Sequence, residues 1–312
     1  MDENGIPNAQ DIAAVGNAAT GFIGAFRRLL PGISMRSLQK AESKTTDLIL
    51  EDIKKIDATD LSAQTKSVLK NDIIKRHRQV SNLASVLSHA ESEVKTNVNI
   101  TDVDDNWLEE FQDHAEKISD EDTQIIWGKL LAGEMNSPGS YSKQLMSILS
   151  TMSKADAETF VKLSSFCILA LDTPSSTKGQ GVILLHPDKG KGNTYNHEAF
   201  NYDMVSCLSS FGLLNLSGGV QLTFGANQAR SFVVNDDILT IRNKKSEKND
   251  LWFTPLFTPS GAELISLCEP KEQPTLKDIL LEKITEEGFE CIDIHPHKKV
   301  DHVRRKAKGP KM

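Results

Sequence analysis

The sequence predicts a mainly α-helical protein with a C-terminal α+β part, a helical bundle followed by a winged-helix-like domain. Three observations carry that expectation. Apolar residues recur at three- and four-residue spacing along most of the chain from Ile12 to Phe166. Composition changes after Leu171, where prolines, glycines and short apolar runs replace the helical pattern. The last third then reads helix, short strands, a polar hairpin tip, and a strand leading into Thr258-Pro259-Ser260-Gly261. The expected divisions are 1–30 (a small-residue-rich helix), 31–171 (the bundle), 172–290 (the winged-helix-like domain) and 291–312 (a disordered basic tail).

Taken in order, the first helix spans about Ala9 to Leu30, with Ile12, Val15, Ala19, Phe22, Ile23, Phe26 and Leu30 on one stripe. Pro31-Gly32 ends it, since proline cannot continue a helix. A second helix runs from Ser34 to about Lys55. The longest periodic stretch, Leu61 to about Lys95, carries Val68, Leu69, Ile73, Val80, Leu83 and Leu87, with Lys66, Lys70, Lys75, Arg76 and Arg78 making one part basic. Thr101 precedes a helix containing Trp107, Leu108 and Phe111. Ser119, with Asp122 three residues on, is expected to open the next through a capping box. Ser137-Pro138-Gly139-Ser140 breaks the pattern before a helix from Ser142 to Met152, and Ser153 with Asp156 starts another.

Beyond Leu171, Gly181 to Leu185 reads as a strand and His197 to about Leu214 as a helix. Strands follow at Gly219 to Gly225, at Ser231 to Asn235 or Ile238 to Arg242, and at Leu251 to Phe257. Asn243 to Asp250 (NKKSEKND) forms an exposed hairpin tip in this reading. A helix from Leu276 to about Glu287 and a strand from Phe289 to Ile294 complete the order.

Composition narrows the function classes. The 312 residues are 38% hydrophobic and 25% charged, typical of folded globular proteins. A net charge of −7 argues against a general polyanion binder, which would show an elevated pI or a basic face. Cys167, Cys207, Cys268 and Cys291 form no C-x-x-C pair and read as reduced, buried thiols of a cytoplasmic protein. Ile12 to Phe26 holds no charge. At fifteen residues with Asn17 and Thr20 inside, it falls short of the roughly 20 apolar residues that span a bilayer. A docking helix, or one lying on a membrane surface, fits it better.

No phosphate-binding, dinucleotide-binding or nucleophile-elbow motif is present. Gly190-Lys191-Gly192 reads as an ordinary turn. His295 and His297, with Cys291 and His302, sit at a basic terminus without the convergent ligands a metal centre needs. Glu134 and His114 are the candidates for acid–base work. Glu134 is better placed to bond backbone amides of the Pro138-Gly139-Ser140 turn, and His114 is expected to face solvent. The sequence names no catalytic, cofactor-binding or metal-binding residue. Its structural signature is Trp127, Glu134, Pro138, Gly139, Ser140 and Ser142. Its candidate nucleic-acid contacts are Lys244, Lys245 and Lys248, although the helix His197 to Leu214 carries no Lys or Arg.

The run Trp127-x-x-Leu130-Leu131-Ala132-Gly133-Glu134, then Pro138-Gly139-Ser140-Tyr141-Ser142, then Leu145 to Phe160, resembles an uncharacterised bacterial and phage-associated domain of unknown function. That domain is similar to the abortive-infection alpha group of antiphage proteins. Asp156-Ala157-Glu158-Thr159-Phe160 and Leu256-Phe257-Thr258-x-x-Gly261-x-Glu263-Leu264 fit the same pattern. The resemblance spans about residues 30–270, with sharp motifs over some forty positions. It implies a shared fold and a role in phage–host conflict, and supplies no catalytic residue.

The resulting expectation is a non-enzymatic interaction or effector protein in antiphage defence or prophage biology. Its partners would be another protein or a second copy of the chain, with a membrane surface engaged through residues 12–30. A DNA-binding regulator is the rival.

Overall fold

The computed structural model describes residues 49–95, 102–171, 182–186, 196–197, 200–268 and 272–296. The small-residue helix at 12–30, most of the second helix, the Gly190-Lys191-Gly192 turn, His297 and His302 lie outside them. The chain forms two compact units, Met1–Ser150 and Thr151–Met312.

The first unit is helical. After α1 (49–57) come α2 (Ala63–Glu91), α3 (Asp105–Ala115), α4 (Glu121–Asn136) and α5 (Lys143–Thr151). The starts of α2, α3 and α4 are each set by a side chain that accepts one of the N–H groups an α-helix leaves unpaired. Ser62 accepts from Thr65, Asp104 from Trp107 and Asp120 from Thr123. One start differs from the sequence reading. The cap of α3 is Asp104, and α4 is capped by Asp120, one residue beyond the expected Ser119. Asp120 prevails because its carboxylate takes both the backbone N–H and the hydroxyl of Thr123, at 2.9 and 2.7 Å.

Helices α2 and α4 make the main crossing of this unit. Gly128 allows it, since a Cβ there would stand 2.6 Å from His89 Cβ and 3.0 Å from Ala90 N. A polar seam locks the α3–α4 connection onto α2. Asn82 donates to the Glu116 carbonyl, Ser85 donates to Gln124, and Gln124 donates to the Ile118 carbonyl. These bonds satisfy polar groups that would otherwise be costly to enclose.

The second unit is α+β. Helix α6 (Lys154–Ser164), assigned to the bundle by the sequence reading, falls in this unit. It opens with a reciprocal capping box: Asp156 N–H donates to Ser153 Oγ at 3.2 Å, and Ser153 N–H donates to Asp156 Oδ2 at 2.9 Å. The Ser153 hydroxyl also donates to Asp156 at 2.7 Å, and these bonds hold the carboxyl below its ordinary pKa. A depressed folded pKa means that its stabilisation is complete above the unfolded value. It is lost as pH falls through the folded one. Unfolding followed from about pH 5 downward should show a decline that Asp156→Asn flattens, at a cost of about 1 kcal/mol near neutrality.

Strands follow: β1 (Cys167–Ala170), β2 (Val182–Leu184), β3 (Asn196–His197) and β4 (Phe200–Asn201). Helix α7 (Tyr202–Ser210) leads to β5 (Leu214–Asn215), β6 (Val220–Phe224), β7 (Ala229–Val234) and β8 (Asp237–Asn243). Next are β9 (Asn249–Phe253), β10 (Leu256–Phe257), α8 (Pro259–Ile265), α9 (Leu276–Glu286) and β11 (Phe289–Pro296). The main sheet has the order β11-β8-β7-β1-β2, and its pairs are antiparallel.

Several expectations change here. The helix foreseen from His197 begins at Tyr202, because 196–201 pairs as a short hairpin and Asn201, in extended backbone, caps it. Both alternatives offered for one strand exist, as β7 and β8. They turn through Asn235-Asp236, and Asn235 takes the positive φ of 53° that such a two-residue turn requires. The segment 291–296 belongs to β11, not to a tail. NKKSEKND is not the tip of a hairpin. Strand β8 pairs with β7 and β11, whereas β9 pairs with β6, so this segment crosses between two sheets.

Candidate functional site

Helix α4 presents the signature residues. Trp127 is fully enclosed, and its ring meets Phe111 at 5.6 Å and His114 at 5.7 Å between centroids. Trp107 stacks on Phe111 at 5.4 Å. His114 is therefore half-buried against Trp127, not facing solvent as the periodicity suggested. A helical face is not a sharp line, and an imidazole on its margin is drawn over a neighbouring indole. Trp127 Nε1 is buried and has no acceptor among the described residues.

Farther along α4, Glu134 is almost fully enclosed (2% exposed) and spends both carboxylate oxygens on the following turn. Gly139 N–H donates to one oxygen, and Tyr141 N–H donates to the other at 2.9 Å. Pro138 and Gly139 occupy the central positions of this turn. Gly139 has φ of 76°, and Ser140 N–H donates to the Ser137 carbonyl at 3.1 Å, the geometry of a type II turn. The Ser140 hydroxyl also donates to the Ser137 carbonyl, and Ser142 Oγ accepts from Leu145 N–H at 3.2 Å to start α5. Trp107 Nε1 donates to the Tyr141 carbonyl at 2.9 Å, tying α3 to the same turn. Tyr141 in turn lies over Gly133, where a Cβ would come within 2.5 Å of its ring. A carboxylate whose oxygens accept backbone N–H groups is arranged to hold a turn; no oxygen is left aimed at a substrate.

The lysines gather elsewhere, in the second unit. Lys244, Lys245 and Lys248 are exposed on the β8–β9 crossover. That segment is tethered from below by Asn243, whose amide donates to the Gly225 and Glu247 carbonyls at 2.9 and 2.8 Å. Lys245 N–H returns a bond to Asn243 Oδ1, and its ammonium donates to Asn249 at 2.8 Å. Two lysines thus project from a fixed loop. The third is engaged within it.

The long helix that the sequence places at Leu61 to about Lys95, a candidate there for oligomerisation, leaves part of its apolar side open. Leu83, Val86, Leu87 and Ala90 of α2 are enclosed, but the same helix leaves Val68 56% and Leu69 37% exposed. Leu69 stands fourteen residues before Leu83 on the same side of the helix, with Asp72 and Arg76 between them, so Val68 and Leu69 form an apolar pair beyond the packed core. Helix α1 flanks this region through Asp57 to Lys70 at 2.6 Å and Asp52 to His77 at 3.3 Å. The periodicity was visible in the sequence; where its burial stops was not.

The thiols are free and only half-buried, not fully buried as expected. Desolvation, reinforced by Cys268, pushes the Cys167 thiol well up, so it stays protonated at neutral pH. Burial and then the Asp156 carboxylate, 3.4 Å away, raise Cys207. His295 pairs with Asp293 at 3.1 Å on an exposed strand end. Among the described residues, no three His, Cys, Asp or Glu side chains converge as a metal site would require. No helix among them is long and apolar enough to cross a membrane.

Residues 69–280 match the family model described as "Protein of unknown function (DUF2806)". No curated protein and no solved structure matches the chain.

Proposed function

This chain belongs to the DUF2806 family, and from that premise we propose that it is a non-enzymatic interaction or effector protein of the bacterial cytoplasm, acting in antiphage defence or prophage biology. The observation that carries the interaction reading is the exposed apolar pair Val68 and Leu69 of α2. Both lie on the side of α2 that Leu83, Val86 and Leu87 bury farther along. Isolated exposed apolar residues are ordinary; the support here is that these two adjoin on the side of α2 that is buried farther along. The defence role rests on the resemblance of the Trp127 to Phe160 run to antiphage proteins.

Val68→Asp with Leu69→Asp is expected to abolish phage protection or toxicity in cells while leaving the circular-dichroism spectrum unchanged. Undiminished activity of that variant would remove α2 from the function. The small-residue segment at 12–30 is the candidate effector and membrane-contacting element. Deleting residues 1–30 should silence activity with the core still folded, and a fully active truncation ends the membrane idea.

The rival reading is a DNA-binding regulator with a winged-helix-like second domain. Its support is the tethered loop that projects Lys244 and Lys248. Every lysine that neutralises a phosphate adds both to affinity and to its salt dependence. Changing Lys244, Lys245 and Lys248 to glutamine should therefore weaken duplex DNA binding and flatten its logarithmic salt slope by about two. Unaltered binding by the triple variant rules the loop out as a DNA contact.

A further inference from the structure

Ala170, Phe232, Leu239 and Ile294 stand opposite one another, strand to strand, across the main sheet. Directly opposite residues of an antiparallel pair share a face, so these four form one apolar row. Ala170 is 7% exposed, Phe232 and Leu239 are fully buried, and Ile294 is 44% exposed. Burial stops at Ile294 because the sheet stops there: among the described residues β11 pairs with β8 alone. The opposite edge, β2, is a strand of three residues. Strand β11 has eight, and every side chain from Ile292 to Pro296 is exposed. Such an edge offers a line of backbone N–H and C=O groups that another extended chain matches.

We infer that the strand extending this edge is β11 of a second copy of the chain, antiparallel and related by a two-fold axis through Ile294. This surface is separate from the α2 face. The residues around Ile294 select both the occupant and the register. Asp293 and His295 flank it, with side chains 61% and 52% exposed. An axis at 294 sets Asp293 of each copy opposite His295 of the other, and Ile292 opposite Pro296, with the two Ile294 side chains meeting at the centre. Each carboxylate then faces an imidazole, and each apolar residue an apolar one. An axis at 293 or 295 would instead put Asp293 against Asp293 or His295 against His295, and like charges directly opposite destabilise. A two-fold interface must be self-complementary, and this stretch is so about Ile294. The buried row then runs unbroken through both copies. Ile292 is bulged out of register with β8, and Pro296 has no N–H, so the pairing is short and the dimer weak.

Sedimentation of the full chain over a wide concentration range should show a reversible dimer, unchanged by Val68→Asp with Leu69→Asp. Ile294→Lys should raise its dissociation constant about tenfold or more, since it sets two like charges together at the axis. Asp293→His alone should weaken the dimer about threefold, and adding His295→Asp should restore it, because the exchanged pair is complementary again in the same register. In I294C, mild oxidation with diamide should yield a disulfide that peptide mass spectrometry maps to position 294 of both copies, whose Cβ atoms would lie within about 5.5 Å. A dimer indifferent to Ile294→Lys overturns the proposal, as does one that is lost with the α2 substitutions. So does a monomer at every concentration. Hydrogen exchange of the β11 amides that face away from β8 then tells the other occupants apart. Fast exchange leaves the edge to a strand of another protein, and protection means that the chain's own remaining residues cover it.

Discussion

Glu134→Ala is expected to lower the stability of the first unit by about 3–5 kcal/mol, because two backbone N–H groups would lose a charged acceptor inside a nearly closed site. Gly139 and Tyr141 donate to its two oxygens, and Glu134 is only 2% exposed. Water cannot readily replace the carboxylate there, so both donors bear most of their desolvation penalty. Glu134→Gln should cost roughly half as much, since one oxygen remains while the amide NH2 faces a donor. Two compact units need not unfold together, so a global transition is the wrong measure. Hydrogen exchange read peptide by peptide is the better one. Protection should fall over 121–150 and stay unchanged over 200–296. A loss below about 1 kcal/mol for the alanine variant would show that these bonds are not maintained in solution.

Gly261→Ala should destabilise the second unit by about 2–4 kcal/mol, although alanine is the better helix former by about 1 kcal/mol. Thr258 caps α8 by accepting from Gly261 N–H at 3.1 Å, and its hydroxyl donates to the Gly212 carbonyl at 2.6 Å. Its own N–H donates to the Leu213 carbonyl at 3.1 Å, drawing the first turn of α8 onto the end of α7. A Cβ on Gly261 would overlap the Leu213 carbonyl oxygen and stand 3.0 Å from the Phe257 ring. The first of these is backbone, held by β5 pairing with β10, and cannot swing aside. Gly212→Ala is the contrasting case. Its φ is 75°, but nothing lies within 4 Å of the added atom, so only the left-handed strain of about 1 kcal/mol applies. Equal losses in the two variants would mean that backbone conformation, not close approach, is the reason for glycine at 261.

Legibility followed sequence distance. The Ser153–Asp156 box, the Pro138-Gly139 turn and the Thr258-Pro259 helix start are made by groups three to seven residues apart, where side-chain type and spacing nearly specify the bond. The Asp120 cap shows the limit of such reading. Ser119 and Asp120 both qualify, and the difference lies in which carboxylate or hydroxyl reaches Thr123. Strand β1 was not foreseen. Cys167-Ile168-Leu169-Ala170 follows a helix after a gap of two residues and carries no turn signal, so only its pairing with β2 and β7 makes it a strand. The basic segment from Asn243 was misread for a related reason: a polar run between two strand-like stretches resembles a hairpin whether or not those strands pair.

From the sequence by itself come the helical character of the first part, the α+β character of the second, and the local caps and turns. Backbone and neighbouring side chains decide these within one or two helical turns. The tertiary structure decided that β8 and β9 belong to different sheets, that His114 leans on Trp127, and that Gly261 meets a carbonyl distant in the chain. It also decided where along α2 burial ends. Period alone makes Leu69 and Leu83 equivalent, and only the neighbours that enclose one and leave the other open set them apart.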